Sequence, residues 1–322
     1  MSYDNALLTA NRLNDETWEA AGALYTESGH LVPESLRRVD RTDPWKDINP
    51  EQVPRPSTVV GKFNVDGYDF YLDEAILAGP LLAGWGHLIT ETISAAWASE
   101  QLPDVPLILV PWGRMWVSAL PRIKETLRLA GWDDRLLIMA TGEMVLGRVH
   151  LPERLVDIRG LMDEGAAIDP ALNTVYDRMI ARSVSAPGPK QKIFFPRPDG
   201  HRRAHPHEAA IEQALVDDGF VSVHGWDMSV EEQVAAVNSA SALVAFSGSN
   251  LHNSVFAERG VPVVEIRDSR AQHDAARGKK RLQPPLCALR EQPFTEVDGF
   301  RDGQPRTVPD ILLDVKALLA QA

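Results

Sequence analysis

The sequence predicts two α/β domains joined by a short linker. Two observations carry this. Apolar runs of strand length alternate with helix-like segments, which indicates mostly parallel sheets covered on both faces. The alternation stops at SVSAPGPKQ, residues 183–191, where Ser, Ala, Pro and Gly make a linker, and then restarts. The expected domains are therefore 1–188 and 189–322, with the last helix able to pack back. A chain of 322 residues is long enough for two cores.

Residues 26–57 are rich in proline and charge without sustained periodicity, and read as an irregular arm. In GWGHLITETISAAWASEQLP, residues Trp85, Leu88, Ile89, Thr92, Ile93, Ala96 and Trp97 recur at helical spacing, predicting one amphipathic helix ending before Pro103. VPLILVP reads as a buried strand. MWVSALPRIKETLRLAGW reads as a helix in which Pro121 marks a break or a new first turn. RLLIMA and MVLGRVHLP supply two further strands, and a helix is expected around 170–182.

In the second half, KIFFPR, VSVHG, ALVAF and VPVVEIR are the expected strands. HEAAIEQALVDDGF is a helix stopped by Gly219. SVEEQVAAVNSA is a helix opened by a capping box of Ser229 and Glu232. Near the end, Ile311, Leu312, Val315, Leu318 and Leu319 form one apolar stripe.

Apolar residues at 44% and charged residues at 24% are ordinary for a globular protein. A net charge of −12 argues against a general nucleic-acid binder, which needs clustered cations. A single cysteine, Cys287, favours a reducing compartment. The first residues show neither a basic n-region nor an apolar h-region, and no stretch approaches the roughly 20 apolar residues of a spanning helix. The expectation is a cytoplasmic protein, with room for peripheral contact at the inner face of the cell membrane.

The candidate chemistry begins at ALVAFSGSNLHNSVF. A buried strand runs into Ser247, Gly248, Ser249 and Asn250, and a helix is expected immediately after. Such a turn suits an anion, because the first helical amides lack internal partners. An ordinary N-capped turn fits equally. Arg197, Arg202 and Arg203 sit near the end of the preceding strand, where guanidinium groups neutralise a diphosphate or simply face water. His201, His205 and His207 do not have the spacing of a structural zinc site, and no metal is expected.

His87 and Glu91, four apart on a helix, make either a base with its orienting carboxylate or a plain surface pair on the face opposite the apolar stripe. Glu265 closes a strand, as a ribose ligand or a salt-bridged residue. The charged segment 267–285 reads as a lid over a ligand or as a surface loop.

In order, these pieces resemble glycosyltransferase family 61, a group that includes capsular and other polysaccharide-building transferases. The matching positions are Gly86, His87 and Glu91; Arg197 with Arg202 and Arg203; Ser229 to Gln233; then Gly248, Leu251, Asn253, Phe256 and Glu265. The resemblance covers roughly 80–270. Two departures stand out: Ser247 replaces a histidine that many members carry at the turn, and Ala204-His205-Pro206 follows the arginines where an asparagine is common.

The resemblance implies two Rossmann-like domains facing a cleft, a GT-B-like arrangement. It implies an inverting, metal-independent transfer from a nucleotide sugar to a glycan or lipid-linked acceptor, with no further cofactor. His87, backed by Glu91, would be the catalytic base, with His252 as the alternative. Arg197, Arg202, Arg203, Ser247, Gly248, Ser249, Asn250, His252, Asn253 and Glu265 would bind the donor. Two other readings stay open: a nucleotide- or carbohydrate-binding member without activity, and a serine hydrolase using Ser247 or Ser249. The latter lacks a Gly-x-Ser-x-Gly elbow.

Overall fold

The computed structural model describes the chain except residues 10–12, 15–17, 36, 41–69, 112–115, 133–135, 157–167, 185–187, 199–203, 268–281 and 322; for 13, 14, 18–21, 37–40 and 116 it describes the backbone alone. The chain divides into two compact units, Met1–Ala166 and Ala167–Ala322.

The first unit holds a seven-stranded sheet. Its parallel part runs, in spatial order, through Glu143–His150, Tyr71–Leu81, Leu107–Pro111 and Leu137–Met139. Ser2–Thr9, Ala23–Tyr25 and Leu31–Val32 extend it antiparallel beyond Glu143–His150. Alternate residues of these strands, among them Leu8, Leu24, Leu77, Ile108, Val110 and Leu146, form one buried core.

The expected irregular arm is thus partly ordered: Leu31–Val32 pairs in the large sheet, and Arg37–Asp40 pairs with Trp18–Ala21 in a small one. Two- to four-residue strands are too short to show a period, so pattern alone cannot reveal them. The remainder of that arm, 41–57, lies outside the described residues.

The strand Tyr71–Leu81 was hidden by its own punctuation. Its Gly79 and Pro80 stand at a register shift where the strand has outrun Glu143–His150 and pairs only with Leu107–Pro111. Proline is tolerated at such one-sided, bulged positions.

The single amphipathic helix expected after it is instead an α-helix, Trp85–Thr90, followed by a 3-10 helix, Thr92–Ser99. Hydroxyls cause the change. The Thr90 side chain donates to Gly86 O and the Ser94 side chain to Glu91 O, both at 2.6 Å, competing with the backbone ladder. Nor is one side solvated: residues 88–96 are all buried, Glu91 included, which corrects the placement of Glu91 on a polar face. The next helix, Trp116–Ala130, runs unbroken through Pro121.

The second unit is a five-stranded, fully parallel sheet. In chain order the strands are Gln191–Phe195, Phe220–Ser222, Ala240–Phe246, Val263–Arg267 and Phe294–Asp298; in space they lie second, first, third, fourth, fifth. Helices Glu208–Asp217 and Val308–Leu319 cover one face, through Ile211, Leu215, Ile311 and Val315 packed on Phe194, Val244, Phe246 and Val264. Helices Leu172–Ser183, Val230–Asn238 and Gln283–Leu289 pack together with the 3-10 helix Leu251–Phe256, where Tyr176 meets Phe256 edge-on.

Local sequence rules succeed here. Both capping-box bonds of Ser229 and Glu232 form, and Gly219 takes a φ of 85° at its helix end. The apolar stripe of the last helix faces the core through Ile311 and Val315. Among the described residues no helix is long and apolar enough to cross a membrane.

Candidate functional site

In an open parallel sheet, ligands bind beyond the carboxyl ends of the strands at the point where the strand order reverses. In the second unit that point lies between Gln191–Phe195 and Ala240–Phe246. The chain leaving the first strand reaches Pro196 and Arg197; the chain leaving the second forms the bend Ser247–Asn250.

These two exits are fastened together. Arg197 Nη2 donates to Ser247 O at 2.6 Å, and Asn250 Nδ2 donates to Pro196 O at 2.7 Å. The Arg197 guanidinium also stacks 5.2 Å over the Phe246 ring. Only 7% of its side chain is exposed, so it stands behind the bend. Ser247 N and Oγ both donate to Ile266 O, and Asn253 Nδ2 donates to Asn250 O at 2.9 Å from a buried position.

Gly248 has φ 151°, a conformation close to glycine-only. The helix that follows is a six-residue 3-10 turn, Leu251–Phe256, in place of the expected α-helix, so its dipole adds little. What the bend offers is its amides. Leu251, His252 and Asn253 N–H close i−3 bonds to Gly248, Ser249 and Asn250. The amides of Gly248, Ser249 and Asn250 themselves make no hydrogen bond within the described residues. Three consecutive backbone donors with no partner among the described residues, in a glycine bend, are the kind of arrangement that suits an anion.

His252 is tied through Nδ1 to Gln283 Oε1 at 2.8 Å. The Gln283 amide donates in turn to Ser254 Oγ and Cys287 Sγ. Among the described residues neither the Ser247 nor the Ser249 hydroxyl is hydrogen-bonded to the His252 ring, so no nucleophile–base couple forms there. Glu265 is buried two residues before its strand ends, and its charge helps raise the Cys287 thiol; burial is the larger cause, and together they push it up to about 11.

His205 is a buried structural histidine. Nε2 is bonded to Gly299 O at 2.8 Å, Nδ1 to the His207 amide at 3.1 Å, and the ring lies against Phe246 and Phe300. Among the described residues, no group of three or more His, Cys, Asp or Glu could hold a metal ion. Arg202, Arg203 and His201 lie outside the described residues, as does most of the segment expected as a lid.

In the first unit, His87 sits in the first turn of the helix that follows Tyr71–Leu81. His87 Nδ1 and Glu91 Oε1 are hydrogen-bonded. The imidazole is 44% exposed and the Glu91 side chain 9%, so a buried carboxyl group orients a ring that reaches solvent. Beside it, Arg122 stacks 4.5 Å over Trp85, and partial burial lowers its pKa.

Sequence reasoning overlooked Glu208, whose carboxylate accepts from the Arg197 and His205 amides, and Gln283. The one available signal for Glu208 was an acidic residue at a helix start just after the arginine loop.

The family model for Glycosyltransferase 61 matches residues 85–264, more than half of the chain, from the helix bearing His87 to the strand bearing Glu265. No curated protein matches the chain.

Proposed function

The chain belongs to glycosyltransferase family 61, and from that premise we propose that it moves a sugar from a nucleotide-sugar donor to a glycan or lipid-linked acceptor, with inversion and without an essential metal. The observation that carries the donor half is the bend at the strand reversal, with the Gly248, Ser249 and Asn250 amides unengaged among the described residues and the carbonyl side braced by Arg197. A diphosphate is the ligand chemistry such a bend favours.

In this reading the three amides take the pyrophosphate oxygens, and Arg202 and Arg203 neutralise the charge that grows as the nucleoside diphosphate departs. Arg197 acts from behind. His252, Asn253 and Glu265 complete the wall of the donor site. The acceptor hydroxyl oxygen attacks the anomeric carbon while His87 removes its proton, oriented by Glu91. The anomeric bond to phosphate breaks on the opposite side, which inverts the configuration. The enzyme is then of the GT-B type, with the second unit serving the donor and the first activating the acceptor in polysaccharide assembly at the cytoplasmic side.

A thermal-shift screen of nucleoside diphosphates and nucleotide sugars tests this, since a ligand of the native state raises the midpoint in proportion to its binding. We expect one nucleotide series to stabilise the protein and Arg203→Ala to abolish the shift. A shift that survives Arg203→Ala and Gly248→Ala alike places the nucleotide elsewhere and ends the proposal.

A further inference from the structure

Glu208 opens the helix Glu208–Asp217, where a first-turn carboxylate ordinarily faces water and complements the dipole. Here it is buried and turned inward. Its Oε1 accepts the Arg197 amide at 2.8 Å, and its Oε2 accepts the His205 amide at 3.1 Å. The Arg197 guanidinium lies 3.9 Å from the same Oε2.

One carboxylate therefore holds both stems of the 197–205 segment. It also sits against the guanidinium that fixes the Ser247 carbonyl. A buried carboxylate is tolerable only when its oxygens are satisfied, and two amides and a guanidinium do so here. Each partner needs the other, so losing one frees the rest.

We infer that Glu208 and Arg197 are positioning residues for donor binding: the carboxylate locks Arg197, and Arg197 locks the Ser247–Asn250 bend in the shape that presents its amides. The inference rests on the nucleoside-diphosphate reading of the bend, but it has a readout that needs no ligand. Glu208→Gln keeps the size and one acceptor while aiming an NH2 at a backbone donor. Arg197→Met removes the donors and keeps much of the bulk. Arg197→Lys keeps the charge and one N–H.

Hydrogen exchange of the hydrogen-bonded Ser247, Leu251, His252 and Asn253 amides on either side of the bend should speed at least tenfold in Glu208→Gln and in Arg197→Met, with partial recovery in Arg197→Lys. The exposed Gln213→Ala on the same helix should change nothing. Binding of UDP, GDP, ADP, CDP and dTDP by calorimetry should show the affinity for whichever the wild type binds falling about tenfold in the same two variants. Unchanged exchange at these four amides in Glu208→Gln overturns the inference, as does faster exchange with unaltered affinity. A wild type that binds none of the five refutes the donor reading itself; the exchange comparison then still decides whether Glu208 and the bend are coupled.

Discussion

The two units reverse their strand order once each, and each places an arginine at the reversal, but they use it differently. In the second unit Arg197 grips the Ser247 carbonyl, and the resource left over is main chain: three amides around Gly248. In the first, the reversal lies between Tyr71–Leu81 and Glu143–His150. There the Arg154 guanidinium covers Gly79 so closely that a Cβ on Gly79 would stand 2.2 Å from Nη2. The base proposed for this unit is made of side chains, His87 hydrogen-bonded to Glu91. A site built from side chains fails when one is truncated. A site built from backbone fails when its bend is strained or its brace removed.

That contrast is most sharply tested at His87. Removing a general base costs about 10²- to 10⁴-fold in rate. We expect His87→Ala to lower kcat by about 10³-fold while the nucleotide dissociation constant stays the same. Glu91→Gln, which keeps the ring's partner but not its charge, should lose about tenfold. Equal losses in kcat and in nucleotide affinity would erase the distinction between the two regions.

Gly79→Ala should act on stability instead. The φ of 102° adds strain of about 1–3 kcal/mol, and the added Cβ also meets the far end of the Arg154 side chain, which has to shift. A loss of about 3 kcal/mol in urea unfolding is expected, and Arg154→Ala in the same chain should relieve the contact part alone. Gly248→Ala meets backbone strain of about 1–3 kcal/mol at its φ of 151°. If the bend relaxes to avoid it, nucleotide affinity falls about 30-fold with little change in unfolding.

How much of this was legible in the sequence depends on separation along the chain. Four of the five strands of the second unit, the Gly219 stop and the Ser229 cap follow from residues within a few positions of one another and appear where the pattern puts them; the fifth strand, Phe294–Asp298, was not expected. The bend at 247–250 was also legible, because small residues after a buried strand are a local signal. Its brace was not: Arg197 and Ser247 are 50 residues apart, and an arginine near a strand end reads the same whether it faces a ligand or a carbonyl. Similarly, the alternation at 85–97 fits a solvated helix face, and only the packing around Glu91 and the hydroxyl bonds of Thr90 and Ser94 turn it into a buried α to 3-10 passage.

The smallest effect belongs to the most local feature. Ser229→Ala should cost about 1 kcal/mol, the usual value of an N-cap. Part of that cost depends on pH. The Ser229 amide and then its hydroxyl hold the Glu232 carboxyl below its ordinary value. A carboxyl depressed in the native state adds stability that is complete above the unfolded value and disappears as pH falls through the lower native one. The hydroxyl also accepts from the Glu232 amide at 3.1 Å, a bond indifferent to pH. The destabilisation by Ser229→Ala should therefore be constant from neutral pH down to the ordinary glutamate range, then shrink without vanishing. Urea unfolding of wild type and variant on both sides of that window reads it directly. A difference that stays flat throughout would assign the whole cap to the hydroxyl–amide bond, and one that grows in acid would contradict the sign.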